Sequence, residues 1–297
     1  MNRRRPLLAV HGGAGNVQAD APARTARERE VKVALKTGWA VLSSGGRALD
    51  AVEQAVASME RSGCFNAGRG ADPDASGTVT LDAAIMDGAT RAAGAVGAVA
   101  KLATAIAAAR IVMDRTQHVL LVGPAADDFA LAAGVAPAPP GYFSNAGRGT
   151  AHVPAPGTVG AVALDGMGHL AAATSTGGLS GKLPGRVGDS AIVGGGTWAD
   201  ESCAVSATGR GEFFIRTAFA HQVASGMVHL ALPLDEAVRR ALADVVALAG
   251  SGAAAGGCIA IASNGEIAMP FSTAFMVRGI IDGAGIPRVA TLPDPSL

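Results

Sequence analysis

Residues 157–178 constrain this chain more than any other stretch. Gly157-Thr158-Val159-Gly160-Ala161-Val162-Ala163-Leu164-Asp165 mixes small and β-branched residues and runs up to a Gly166-Met167-Gly168 turn. A second apolar run, Leu170 to Thr176, comes back and ends in Gly177-Gly178. Two short apolar runs joined by a glycine-bearing turn read as a β-hairpin. Folded about Met167, the hairpin sets Thr158 opposite Thr176, within one residue for a bulge. Directly opposed residues hold their Cβ atoms about 4.5–5.5 Å apart. Two hydroxyls then meet at one end of the hairpin, beside glycines that leave room for another group. Threonine is an ordinary strand residue, so the pair alone fixes no chemistry.

The residues downstream add charge and further small groups. Gly185-Arg186-Val187-Gly188-Asp189-Ser190 holds a cation and an anion three positions apart between glycines, and Ala207-Thr208-Gly209-Arg210-Gly211 adds another hydroxyl beside exposable backbone. The words GTVGAVALD, TSTGG, LPGRVGDS and SATGxGE, in this order and spacing, resemble the plant-type asparaginase/isoaspartyl peptidase family of N-terminal nucleophile hydrolases. HGGAG at 11–15 and FNAGRG at 65–70 extend the resemblance over nearly the whole chain. It implies an α+β fold, a four-layer αββα sandwich with two stacked, mainly antiparallel sheets between helices. It also implies one domain of 297 residues, cut by the protein itself into an α chain, 1–157, and a β chain, 158–297.

Composition agrees with a large buried core. The chain is 49% hydrophobic and 16% charged, and its 24 Lys and Arg balance 24 Asp and Glu. It therefore lacks the basic surface of a nucleic-acid binder. Arg3-Arg4-Arg5 precedes only a short apolar run, Leu7 to Val10, which is too brief to span a membrane and weak as a signal-peptide core. It reads as a buried first strand. Three cysteines imply no disulfide framework, and the cytoplasm is the expected compartment.

Strands are expected at 7–10, 78–86, 93–99, 119–122, 204–207, 257–262 and 266–269, the last two closing a hairpin around Asn264-Gly265. Helices are expected at 24–44, 48–61, 103–115, 125–133, 212–225 and 234–248. Val31, Val33, Ala34, Leu35, Trp39 and Leu42 form the apolar side of the first helix; Leu49, Val52, Val56 and Met59 form that of the second. His11 reads as a hydrogen-bonded loop residue. Residues 135–157 turn to Pro, Gly, Ala and Ser without periodicity and form the linker. Asn145-Ala146-Gly147-Arg148-Gly149 within it echoes 66–70. Family members often carry a longer linker here.

A threonine hydroxyl is a poor nucleophile until a base takes its proton. No histidine has an evident place beside Thr158, and the hairpin has no Asp or Glu at its reactive end. The threonine's own α-amine, which titrates near neutral pH, would serve if Thr158 became a chain N-terminus. In the resembled family the hydroxyl attacks the preceding carbonyl and the resulting ester is hydrolysed. Gly157 suits such a junction because glycine tolerates strained backbone.

By resemblance, Thr158 is the nucleophile, Thr176 tunes it, Thr208 and the Gly209 N–H form the oxyanion hole, and Asn66 helps line the pocket. Arg186 binds a substrate α-carboxylate bidentately and Asp189 binds the α-ammonium, with Gly209 also beside the substrate. The expected substrates are β-aspartyl dipeptides and L-asparagine. No cofactor is implied for catalysis. The family holds a structural sodium ion on main-chain carbonyls matching Met59, Glu60, Ser62, Phe65, Ala67 and Arg69. Relatives assemble as (αβ)₂. The alternatives are a glycosylasparaginase-like amidase and, in a different class, an unprocessed protein that only binds Asp-like ligands. Gly194-Gly195-Gly196-Thr197-Trp198-Ala199 matches a dinucleotide G-x-G-x-x-A, but loop and strand follow where that motif demands a helix. Gly181-Lys182 lacks the other residues of a phosphate loop.

Overall fold

The hairpin at 157–178 forms, and it lies at the centre of the larger of two sheets. The computed structural model describes residues 4–17, 20–143, 157–250 and 255–294. The first half contributes β1 (Leu7–Gly15), α1 (Ala21–Ser43), α2 (Ala48–Ser62), β2 (Leu81–Asp87), β3 (Ala93–Val99), α3 (Ala105–Arg115), β4 (Leu120–Val122) and α4 (Gly123–Ala132). The second adds β5 (Val159–Leu164), β6 (Leu170–Thr176), β7 (Thr197–Ala199), β8 (Cys203–Gly209), α5 (Gly211–Thr217) and α6 (Phe219–Leu230). It continues with α7 (Leu234–Ala249), β9 (Gly256–Ala262), β10 (Ile267–Ala268), β11 (Phe275–Ile281) and β12 (Arg288–Ala290).

One sheet has the order β12-β11-β1-β5-β6-β2-β3-β4 and the other β10-β9-β8-β7. Their named pairings are antiparallel except β3 with β4. Three apolar clusters divide the interior. Helices α1 to α4 pack on the outer face of the large sheet through Leu35, Leu49, Val56 and Ile106. Helices α5 to α7 pack on the outer face of the small one through Phe214, Phe219 and Val238. Ala9, Val162, Leu164, Ala172, Ala204 and Ile261 fill the space between the sheets. The result is the αββα sandwich.

Local chemistry explains where the elements depart from expectation. Helix α1 starts at Ala21 rather than near 24, because Asp20 accepts the Ala23 N–H at 2.9 Å and Pro22 suits the first turn. Val33 is 42% exposed on the outer side of α1 and is no core residue. Strand β2 begins only at Leu81, since Asp74 Oδ1 gathers the Ser76 and Thr78 N–H groups into a turn at 2.8 and 3.0 Å. The single helix expected at 212–225 is two. Ala218 adopts the left-handed conformation, φ 48°, and Phe219 turns inward to meet Phe214 edge-to-face at 5.0 Å. Strands β7, β11 and β12 have no counterpart among the expected elements. Linker residues 144–156, including the Asn145–Gly149 echo, lie outside the described residues. Among the described residues no helix is long and apolar enough to cross a membrane.

Candidate active site

The β5–β6 register runs from Leu164 opposite Leu170 to Val159 opposite Ser175, which carries Thr158 across from Thr176 at the open end. Thr158 Oγ1 donates to Thr176 Oγ1 at 3.3 Å, and the Gly178 N–H donates to Thr176 Oγ1 at 2.9 Å. Both threonines are buried. Thr208 arrives from the other sheet at the end of β8, where its Oγ1 accepts the Ala14 N–H at 3.3 Å. That bond ties the 11–15 stretch to the site. Gly209 follows with φ 153°, and a Cβ there would strike the Ala255 carbonyl, so the bend from β8 into α5 requires glycine. These residues line one cavity of about 530 Å³ together with Asn66, Gly157, Arg186 and Asp189. Every residue expected to act on or bind substrate is thus brought to a single hollow.

Asn66 sits between two loops. Its Nδ2 donates to the Gly178 carbonyl at 2.7 Å and its Oδ1 accepts the Asp72 N–H at 2.8 Å. It lines the cavity and also fastens the end of β6 to residues 66–72. Gly157 lies beside the same cavity: a Cβ there would come 3.8 Å from Thr208 Oγ1.

Arg186 and Asp189 form the charged end of the cavity. Arg186 donates from Nε and Nη2 to Glu212 Oε1 at 3.1 and 3.0 Å. Glu212 therefore takes one edge of the guanidinium and leaves the Nη1/Nη2 end for a carboxylate. Burial pushes the Glu212 carboxyl up, but its own backbone N–H, Arg186 and Arg210 outweigh this and hold it below its ordinary value. Asp189 is buried, and among the described residues its Oδ2 meets no hydrogen-bond donor. Burial drives its pKa from 3.8 to about 7, against the pull of Arg186. Such a carboxyl leaves an open acceptor at the cavity wall. Asp82 braces the same corner from β2: its Oδ2 accepts the Gly188 N–H at 2.9 Å and its Oδ1 the Ala98 N–H at 2.8 Å.

Sequence reasoning missed Glu212 and Asp82, and it read His11 as a hydrogen-bonded loop residue without a place beside Thr158. Glu212 was present in the SATGxGE word, but its role depends on where Arg186 points. His11 is a buried residue of strand β1, not of a loop, and it does reach Thr158. Burial lowers its pKa to about 3, while a hydrogen bond with the Thr158 backbone works the other way. Such a ring stays neutral and is too weak a base to serve near neutral pH.

The loop after α2 has the form of a backbone cradle. Ser62 Oγ donates to the Met59 carbonyl at 2.8 Å. Cβ atoms at Gly68 and Gly70 would strike the carbonyl oxygens of Glu60 and Phe65. The carbonyls of Glu60, Gly63 and Phe65 thus crowd the glycines of this turn, and among the described residues no cluster of His, Cys, Asp and Glu side chains offers another metal site. Hard cations accept such oxygens. The Glu60 side chain points elsewhere: Oε1 accepts from Ser175 Oγ at 2.5 Å and from the N–H groups of Ala105 and Ile106 at 3.1 and 3.2 Å, capping α3.

Comparison with known proteins agrees with this geometry. The model of the asparaginase family matches residues 4–151 and 148–291. An isoaspartyl peptidase of Salmonella typhimurium is 42% identical over 300 residues, spanning 92% of this chain and 94% of the relative. A plant-type L-asparaginase of Pyrobaculum calidifontis is 40% identical over 289 residues, spanning 92% and 95%. An isoaspartyl peptidase/L-asparaginase of Danio rerio is 39% identical over 284 residues, spanning 90% and 89%. With both halves matched and a threonine-lined cavity set in an αββα sandwich, this chain belongs to the asparaginase family of N-terminal nucleophile hydrolases.

Proposed function

We propose that this enzyme hydrolyses the side-chain amide of an L-aspartyl unit, with β-aspartyl dipeptides and L-asparagine as substrates. The observation that carries this reading is the shared cavity, in which the Thr158–Thr176 hydroxyl pair faces the Arg186–Asp189 charge pair. An amino-acid head offers a carboxylate and an ammonium, which complement Arg186 and Asp189. Anchored there, the substrate turns its β-carbonyl toward Thr158.

In this reading the Gly157–Thr158 bond is cut first: the Thr158 hydroxyl attacks the Gly157 carbonyl, the amide nitrogen leaves as the α-amine, and water hydrolyses the ester so formed to give chains 1–157 and 158–297. The freed α-amine then accepts the hydroxyl proton, and Thr176 holds the hydroxyl in place. Thr158 Oγ1 attacks the β-carbonyl, and Thr208 Oγ1 and the Gly209 N–H receive the developing oxyanion. The amine leaves with a proton, and water hydrolyses the β-aspartyl ester to release aspartate. The reading includes a structural sodium ion on the carbonyls of Met59, Glu60, Ser62, Phe65, Ala67 and Arg69, which would stiffen the loop bearing Asn66. No chemical step uses it. It also includes an (αβ)₂ assembly in the cytoplasm without nucleic-acid or membrane partners.

The test is aspartate release by fully cleaved protein from β-Asp-Leu beside L-asparagine, with ammonia measured for the latter. Turnover of both is expected. Turnover of neither rejects the assignment, and turnover of N-glycosylated asparagine alone moves the enzyme to a glycosylasparaginase activity.

A further inference from the structure

A second polar layer lies directly beneath the cavity. Alternate residues of a strand face the same way, so below Thr158, Thr176 and Thr208 come Gly160, Thr174 and Ser206. One step deeper the layer is apolar again, with Val162, Ala172 and Ala204. His11 pairs with Gly160 across β1 and β5 and completes this layer. Its Nε2 lies 3.0 Å from Ser206 Oγ, which lies 2.8 Å from Thr174 Oγ1. Thr197 Oγ1 lies 2.6 Å from Thr174 Oγ1 and donates to the Ser190 carbonyl, next to Asp189, at 3.1 Å. All four side chains are buried. Gly160 makes the arrangement possible, because a Cβ there would strike both Ser206 Oγ and His11 Nε2.

The donors and acceptors of this layer fix the ring's tautomer. Among the described residues His11 Nδ1 has no hydrogen-bond partner. A buried N–H without an acceptor is rarer than a buried lone pair without a donor, so the proton belongs on Nε2. Nε2–H then donates to Ser206 Oγ, and Ser206 donates to Thr174 Oγ1.

We infer that His11 is a positioning residue for Thr158: its ring, braced by Ser206 and Thr174 and packed against Gly160, fixes the β5 backbone from which the Thr158 hydroxyl is aimed. The inference rests on Thr158 being the nucleophile. His11 acts through that backbone and transfers no proton. Misaiming a nucleophile by about 1 Å costs on the order of 100-fold in rate, whereas the Arg186–Asp189 anchor lies outside this layer.

The test compares cleaved wild type with His11→Gln, His11→Leu and Gly160→Ala on β-Asp-Leu. Gln places an amide N–H near the position of Nε2. It should keep kcat within about 10-fold, while Leu and Gly160→Ala lose on the order of 100-fold, all with KM nearly unchanged. Equal losses for Gln and Leu, a KM that rises in step with falling kcat, or an unchanged kcat would overturn the inference. If wild type turns over neither substrate, the same ranking is read in the rate of Gly157–Thr158 cleavage, which needs no substrate. Nitrogen-15 NMR of the imidazole gives a readout independent of activity: a protonated Nε2 with a bare Nδ1 between pH 6 and 8 agrees, and a protonated Nδ1 contradicts it.

Discussion

Glu212 Oε1 accepts two hydrogen bonds from one edge of Arg186, from Nε at 3.1 Å and Nη2 at 3.0 Å. The carboxylate orients the guanidinium and leaves its far end open to the cavity. Glu212→Gln keeps the shape and loses the charge that makes such bonds strong. KM for β-Asp-Leu should rise about 10-fold, with kcat within about 3-fold of wild type, because binding weakens and the Thr158 chemistry does not change. Steady-state kinetics on cleaved protein checks this. A fall in kcat at constant KM would count against it.

Asp189 makes a prediction about stability. Burial lifts its pKa from 3.8 to about 7, so between those values the folded protein binds a proton that the unfolded chain has lost. Stability therefore drops as pH rises from about 4 to about 7, and the loss persists above that range. Asp189→Asn removes this term. Its Tm at pH 8 should exceed that of wild type by about 2–6 °C, or roughly 1–2 kcal/mol, with the gap closing near pH 4. L-Aspartate should raise the Tm of wild type but not of the variant, since the variant lacks the partner for the α-ammonium. A gap independent of pH would refute the buried-carboxyl account.

Much of the site was legible in the sequence because it is written in short words on strand ends. The Thr158–Thr176 pairing followed from two apolar runs and one glycine turn, and the observed register agrees with it. What stayed hidden depends on which strands are neighbours. The proximity of His11 to Thr158 requires β1 to lie beside β5, and its bond to Ser206 requires the small sheet to stack above. Neither relation has a local signal. The break between α5 and α6 falls on Ala218, a good helix former, so packing of Phe214 and Phe219 decides it. Strand β11 was masked by Arg278 in its middle. That guanidinium is buried by donating to the carbonyls of Met276 and Leu292 and lying 4.9 Å over the Phe271 ring.

The central claim is that Thr158 becomes an N-terminal nucleophile by cutting its own preceding bond. Intact-mass analysis of wild type, Thr158→Ser and Thr158→Ala after prolonged incubation tests it most directly. Wild type should give two masses, for residues 1–157 and 158–297. Thr158→Ser should give the same pair more slowly, since it keeps a hydroxyl, and Thr158→Ala should stay whole. One intact mass shared by wild type and Thr158→Ala, or cleavage of both at the same rate, would contradict the account.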